Sequence, residues 1–151
     1  MRAVIQRVSS ASVIANGEPT GEIKKGLLVL LGVEHEDTKE DAQWLADKIS
    51  QMRLFQDEDN KMNLALQDVQ GEVLVISQFT LHANTKKGNR PSFIKAARPE
   101  TAIPLYEYFK DYMSIKIGHK VASGIFGADM AVNLVNDGPV TIIIDSKQKD
   151  L

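Results

Sequence analysis

Two short runs hold the polar groups best placed to do chemistry. Ser77-Gln78-Phe79-Thr80-Leu81 sets two hydroxyls and an amide at the end of an apolar strand, where the chain enters a long loop. Strand ends that open into loops often carry sites. A hydroxyl there can attack a carbonyl if a base stands beside it, or it can hold a water. The plain structural reading is that Ser77, Gln78 and Thr80 merely point outward. Asn136-Asp137-Gly138-Pro139-Val140-Thr141 has, taken alone, the composition of a turn between strands.

Other chemistry is poorly supplied. The 151 residues contain no cysteine, which excludes disulfides and thiolate metal sites. His35, His82 and His119 lack ligand spacing, so no metal and no cofactor are expected. There is neither a Gly-x-Ser-x-Gly elbow nor a phosphate-binding glycine loop.

Charge sets further bounds. The formal net charge is -2, too acidic for a protein that coats nucleic acid but compatible with a local contact to one end of an RNA. Lys86, Lys87, Arg90, Lys95 and Arg98 fall within thirteen residues that contain no acid. Glu34, Glu36, Asp37, Glu40 and Asp41 form an acidic counterpart. Solvated surface is the plain reading of both. The start lacks a signal-peptide pattern, and the run Leu27 to Val33 is too short to cross a bilayer. No membrane association and a cytoplasmic location are expected.

The elements that must position these groups read as follows. The first fourteen residues form a strand, and Asn16-Gly17 turns it into a second strand ending near Ile23. Leu27 to Val33 reads as a strand buried on both faces. Thr38 caps a helix with Asp41 three residues on, and Ala42, Leu45, Ile49 and Met52 give it one apolar face to about Arg53. Asp57 to Asn60 is a polar turn, and Glu72 to Ser77 is a strand. A loop from Leu81 to Arg98 precedes a second helix striped by Ala102, Leu105, Phe109 and Tyr112. Pro99 suits its first turn, but Pro104 places the regular part later. Strands follow over Lys120–Phe126, Met130–Val135 and Val140–Asp145. The pattern is α/β: a single domain over 1–151, with a mixed, largely antiparallel, barrel-like sheet layered against two main helices.

The two polar runs together resemble the signatures of the D-aminoacyl-tRNA deacylases. The likeness spans the chain. It includes Met1-Arg2-Ala3-Val4-Ile5-Gln6-Arg7-Val8, Lys87-Gly88-Asn89-Arg90-Pro91-Ser92-Phe93 and Gly124-Ile125-Phe126-Gly127-Ala128-Asp129-Met130, in the family's order.

The resemblance implies a homodimer that hydrolyses the ester joining a D-amino acid to tRNA, with its active site at the subunit interface. L-aminoacyl-tRNA would be spared, whereas glycine mischarged on tRNA(Ala) would be a further substrate. Ser77, Gln78, Phe79 and Thr80 would form the catalytic wall. A cis Gly138-Pro139 peptide would enter from the other subunit, with Asn136 on the substrate side. Phe126 and Met130 would lie near the terminal adenosine, where a ring and a thioether suit a base. Phe79 and Thr80 N–H groups would stabilise the oxyanion, and Thr80 would position water or act as nucleophile. Lys86, Lys87 and Arg90 would touch phosphates of the acceptor end. Two other classes fit the same residues: a non-catalytic RNA-binding protein using the basic loop, and a threonine hydrolase of small esters.

Overall fold

The computed structural model describes all residues, Met1–Leu151. Strand β1 (Arg2–Ala15) turns at Asn16 (φ 50°) and Gly17 (φ 82°) into β2 (Glu18–Ile23). Both turn residues have the positive φ that a type I′ hairpin needs. Next come β3 (Gly26–Gly32), helix α1 (Lys39–Gln51), and the short pair β4 (Phe55–Gln56) and β5 (Met62–Leu64). A 3₁₀ turn at Leu66–Val69 leads to β6 (Glu72–Ser77). A second 3₁₀ turn spans Phe79–His82. The chain ends with α2 (Pro99–Ile117), β7 (Ala122–Ser123) and β8 (Met130–Asp145).

The main sheet runs β2-β1-β3-β6-β7, with β8 along the other edge of β1. Pairs with β1 are antiparallel, whereas β3-β6 and β6-β7 are parallel. Strand β7 comes back against β2: a Cβ on Gly21 would lie 2.9 Å from the Ser123 carbonyl. The mixed sheet is therefore curled into a nearly closed barrel, as the strand pattern predicts.

The apolar run of β3 is needed because the sheet has a core on each side. Leu27, Val29 and Leu31 join Ala3, Ile5, Val73 and Val75 beneath the helices. Leu28 joins Val8, Val13, Leu74 and Ile76 in a second core inside the curl. Alternate residues of one strand thus serve different cores. Helix α1 buries Ala42, Leu45 and Ile49, and α2 buries Ala102, Leu105, Tyr106, Phe109 and Met113. Deleting the Phe109 side chain would cost about 3–5 kcal/mol. At the start of α1 the Thr38 N–H donates to the Asp41 carboxylate at 2.9 Å, one half of the expected capping arrangement.

Three expectations are corrected. Helix α2 begins at Pro99 despite Pro104, with Ala102 N–H donating to Arg98 at 2.8 Å. Pro104 forfeits one bond to Glu100, which is exposed and can turn to water. The strand anticipated over Lys120–Phe126 contracts to Ala122–Ser123, because only Leu74 and Val75 offer β6 partners there. The two strands anticipated at the C-terminal end are one. Both halves of β8 pair with β1, Gln6 opposite Thr141 and Val8 opposite Asn136, so residues 137–140 bulge where only Arg7 faces them.

Candidate active site

Ser77 is the last residue of β6, paired in parallel with Leu31, and the next N–H, of Gln78, still donates to Leu31 at 2.8 Å. Beyond it the ladder has no partner and the chain tightens into the turn Phe79–His82. The Gln78 amide donates to the Thr80 hydroxyl at 2.5 Å, which fixes that oxygen while leaving its proton available. Phe79 and Thr80 occupy the first two positions of the turn, where N–H groups have no partner inside a helix. Both side chains are exposed. Phe79 is held edge-on by Phe93 from the long loop, with ring centroids 5.1 Å apart.

A cavity of about 260 Å³ opens beside this turn. Ser77, Gln78 and Phe79 form one wall, and Phe126, Met130 and Val132 form the other. Phe126 leans on Tyr106, centroids 5.8 Å apart. Tyr106 donates its hydroxyl to the Val75 carbonyl at 3.2 Å, and burial, with help from the Glu107 charge, pushes its pKa up to about 12. It is a neutral support at ordinary pH. The cavity is mostly apolar with a polar rim from Ser77 and Gln78, the usual make-up of a small-molecule site.

Asn136, Gly138 and Pro139 do not line this cavity. They shape the bulge in β8. The Gly138-Pro139 peptide is cis, and both residues are exposed. The Asn136 side chain spans the bulge: its Oδ1 accepts the Val140 N–H at 2.8 Å, and its Nδ2 donates to the Val140 carbonyl at 3.2 Å. From beneath, Arg7 donates through Nε to the Asp137 carbonyl at 2.8 Å and through Nη1 to the Leu54 carbonyl at 2.7 Å.

Lys86, Lys87 and Arg90 are exposed on a loop closed by paired hydrogen bonds between Asn84 and Ser92, at 2.8 and 2.9 Å. The three histidines lie apart. His35 faces the Ile94 carbonyl, His119 faces that of Gly71, and His82 is buried beside Glu34.

Two supports escape a reading of the sequence. Arg7 is only 5% exposed, although its place in an apolar strand was a signal that it has an internal partner. Phe93 acts by contact across the fold, for which spacing carries no signal, whereas Tyr106, four residues after Ala102 and three before Phe109, falls on the apolar face of α2.

The chain has likenesses over nearly its whole length. The family model described as D-Tyr-tRNA(Tyr) deacylase matches residues 4–145. A D-aminoacyl-tRNA deacylase of Flavobacterium johnsoniae is 59% identical over 150 residues, 99% of this chain and 100% of that one. One from Akkermansia muciniphila is also 59% identical over 150 residues, with the same coverage. Among solved structures, a c-Myc DNA unwinding element binding protein superposes with TM-score 0.88 at 40% identity, covering 96% of this chain and 98% of that one. A probable eukaryotic D-amino acid tRNA deacylase superposes with TM-score 0.85 over 95% of this chain and 98% of that one. At 16% identity it speaks for the fold alone.

Proposed function

The chain belongs to the D-Tyr-tRNA(Tyr) deacylase family and hydrolyses the ester of D-aminoacyl-tRNA, and on that premise we propose how its residues divide the work. One copy supplies the cavity and the turn Phe79–His82; a second copy supplies Gly138 and Pro139. The observation that carries this division is the placement of the two signatures. Gly138 and Pro139 stand exposed on a braced bulge and are not part of the cavity walled by Ser77, Gln78 and Phe79. Exposed Phe79, Ile125, Val135 and Ile143 support a covering partner. A closed two-fold pair is the commonest arrangement that brings such surfaces together.

In this reading the terminal adenine enters the cavity between Phe79, Phe126 and Met130, where rings and a thioether suit a π-face. That seats the ester carbonyl over the first N–H groups of the turn. Phe79 and Thr80 N–H stabilise the oxygen as it gains charge. Thr80, its oxygen held by a hydrogen bond from Gln78 rather than from a base, orients the attacking water. An aminoacyl ester is already reactive, so this modest set suffices.

Chirality follows from rigid backbone. An L side chain would be directed at the partner's bulge, whereas a D side chain would point away from it. Rejection by a wall reaches further than rejection by a loosely fitting pocket. Glycine has no side chain to exclude, so glycyl-tRNA mischarged on tRNA(Ala) passes. Lys86, Lys87 and Arg90 lie where phosphates of the acceptor end would approach. Residues 1–151 act as one deacylase unit, with the cytoplasm as its place of work; no helix is long and apolar enough to cross a membrane.

The test is a substrate panel: D-tyrosyl-tRNA, L-tyrosyl-tRNA, glycyl-tRNA and a free D-tyrosine ester. The reading expects cleavage of the first and third only. Binding without cleavage would return the chain to the RNA-binding class, and equal turnover of the small ester would return it to the small-ester hydrolases.

A further inference from the structure

We propose that a second cleft, at the far end of the turn Phe79–His82, seats one phosphodiester of the tRNA acceptor strand between Arg2, Lys86 and Lys95. The inference rests on the tRNA reading above and adds a defined anion seat to it.

The cleft has a volume of about 370 Å³, and Arg2, Glu34, His82, Asn84, Lys86 and Lys95 line it. Three cations thus face one carboxylate. Three lysines elsewhere are paired, Lys110 with Glu107, Lys116 with Asp47 and Lys147 with Asp41. Lys86 and Lys95 form no such pair, so their charge is free for a ligand. The single acid, Glu34, also lines the cleft and holds its Oε1 3.4 Å from Nδ1 of His82.

The wall is built before any ligand arrives. Arg2 is pinned through Nε to Asp145 at 2.9 Å and through Nη1 to the Leu81 carbonyl at 3.2 Å. A guanidinium has five N–H donors, so donors remain for an anion. Asn84 Oδ1 accepts the Lys86 N–H at 2.9 Å and shapes the backbone at the cleft. The loop is tied down at its other end, where the Ala97 N–H donates to Val33 at 2.8 Å. His82, 4% exposed and with Nε2 unpartnered, packs its ring on Gly32 and closes the floor. Preorganised donors lose little entropy on binding.

Position selects the ligand. The turn that separates the cavity from the cleft is four residues long, about 6 Å of 3₁₀ axis. A strand whose last base lies at the Phe79 end can therefore reach the His82 end with its backbone. Phosphate contacts of this kind fix register without reading sequence. Lys87 and Arg90 are not among the lining residues and add only diffuse attraction.

The experiment compares two substrates with the same ester. D-tyrosyl-tRNA carries the acceptor phosphodiesters; D-tyrosyl-adenosine carries none. In Lys95→Glu the KM for the tRNA substrate should rise about tenfold or more, and the salt slope of uncharged-tRNA binding should fall by about one. The KM for D-tyrosyl-adenosine should move by less than about twofold, and Lys95→Arg should restore the tRNA value, as expected of a charge that touches phosphate. An equal rise for both substrates would make Lys95 a structural residue and overturn the proposal, as would no rise for either. Inorganic phosphate binding at Lys95 with an unchanged tRNA KM would make the cleft a small-anion site and equally overturn it. If wild type cleaves neither substrate, the deacylase reading fails instead.

Discussion

Arg7 holds Asp137: its Nε donates to the Asp137 carbonyl at 2.8 Å, while Nη1 of the same guanidinium reaches Leu54 at 2.7 Å. One buried cation thus clamps the bulge of β8 to the segment after α1. Hydrogen bonds from a charged group are worth roughly 1.5–3 kcal/mol each. Arg7→Met should lower stability by about 3 kcal/mol in urea unfolding and reduce deacylation more than stability loss alone explains. Full activity in the folded variant would show that the clamp does not matter to the site.

Gly138 is the next point of sensitivity. Its φ is +147°, and an added Cβ would lie 2.8 Å from Val140 Cγ2, 2.9 Å from Val140 N and 3.2 Å from Arg7 Nη2. Only the arginine end can move away freely. Gly138→Ala should displace the bulge, costing about 1–3 kcal/mol locally. D-tyrosyl-tRNA turnover should fall at least about tenfold, the rate equivalent of 1.4 kcal/mol. Unchanged turnover and selectivity in the alanine variant would remove the bulge from the account.

Phe126→Ala tests the cavity. Stacking on a ring is worth about 1–3 kcal/mol per base, so KM for D-aminoacyl-tRNA should rise about 5- to 150-fold. Because Phe126 also packs on Tyr106, Phe126→Trp is the control; it should keep KM low if a ring is what the base needs. A KM unmoved by the alanine variant would assign Phe126 to core packing.

Acid should loosen the N-terminal corner. Burial pushes Asp41 upward, but hydrogen bonds from Ser146, the Thr38 N–H and Lys147 outweigh it and bring the carboxyl from 3.8 down to about 2. A carboxyl whose folded value is depressed contributes stability above its unfolded value and loses it as pH falls through the folded one. Unfolding free energy should therefore drop between about pH 4 and pH 2, and Asp41→Asn should flatten that slope. A slope unchanged in the asparagine variant would contradict this origin.

The neighbouring pair should dominate that corner. The Met1 ammonium and Asp37 lie 2.6 Å apart, both fully buried, and Ser146 Oγ accepts from the same ammonium at 2.9 Å. Removing one partner strands a buried charge. Asp37→Ala should cost about 3–5 kcal/mol in urea unfolding, and a loss below about 1 kcal/mol would refute the pairing.

Local signals made much of this legible in advance. Asn16-Gly17, the Thr38 cap and the compact β-rich run Glu72–Ser77 each state their element within a few residues, and those elements lie where expected. The shape of β8 was not legible, because Gly138-Pro139 reads as a turn unless one knows that β1 runs unbroken beneath it. Pro104 misled for the converse reason: the penalty against proline is local, and the exposed Glu100 carbonyl relieves it. Of the site, Ser77, Gln78, Phe79, Phe126 and Met130 meet at one cavity. Arg7 and Phe93, which brace it and the bulge, touch their partners over separations no periodicity reveals.

The central claim, a site made from two copies, is tested most directly by mixing two impaired variants. Thr80→Arg obstructs the turn, and Gly138→Ala disturbs the bulge. In a shared site, a mixed pair carries both lesions at one centre and none at the other. Random exchange of equal amounts should then restore about a quarter of wild-type D-tyrosyl-tRNA deacylation, since about half the pairs are mixed and each has one sound centre. Activity that stays at the level of the separate variants, after subunit exchange has been verified, would contradict a site shared between copies.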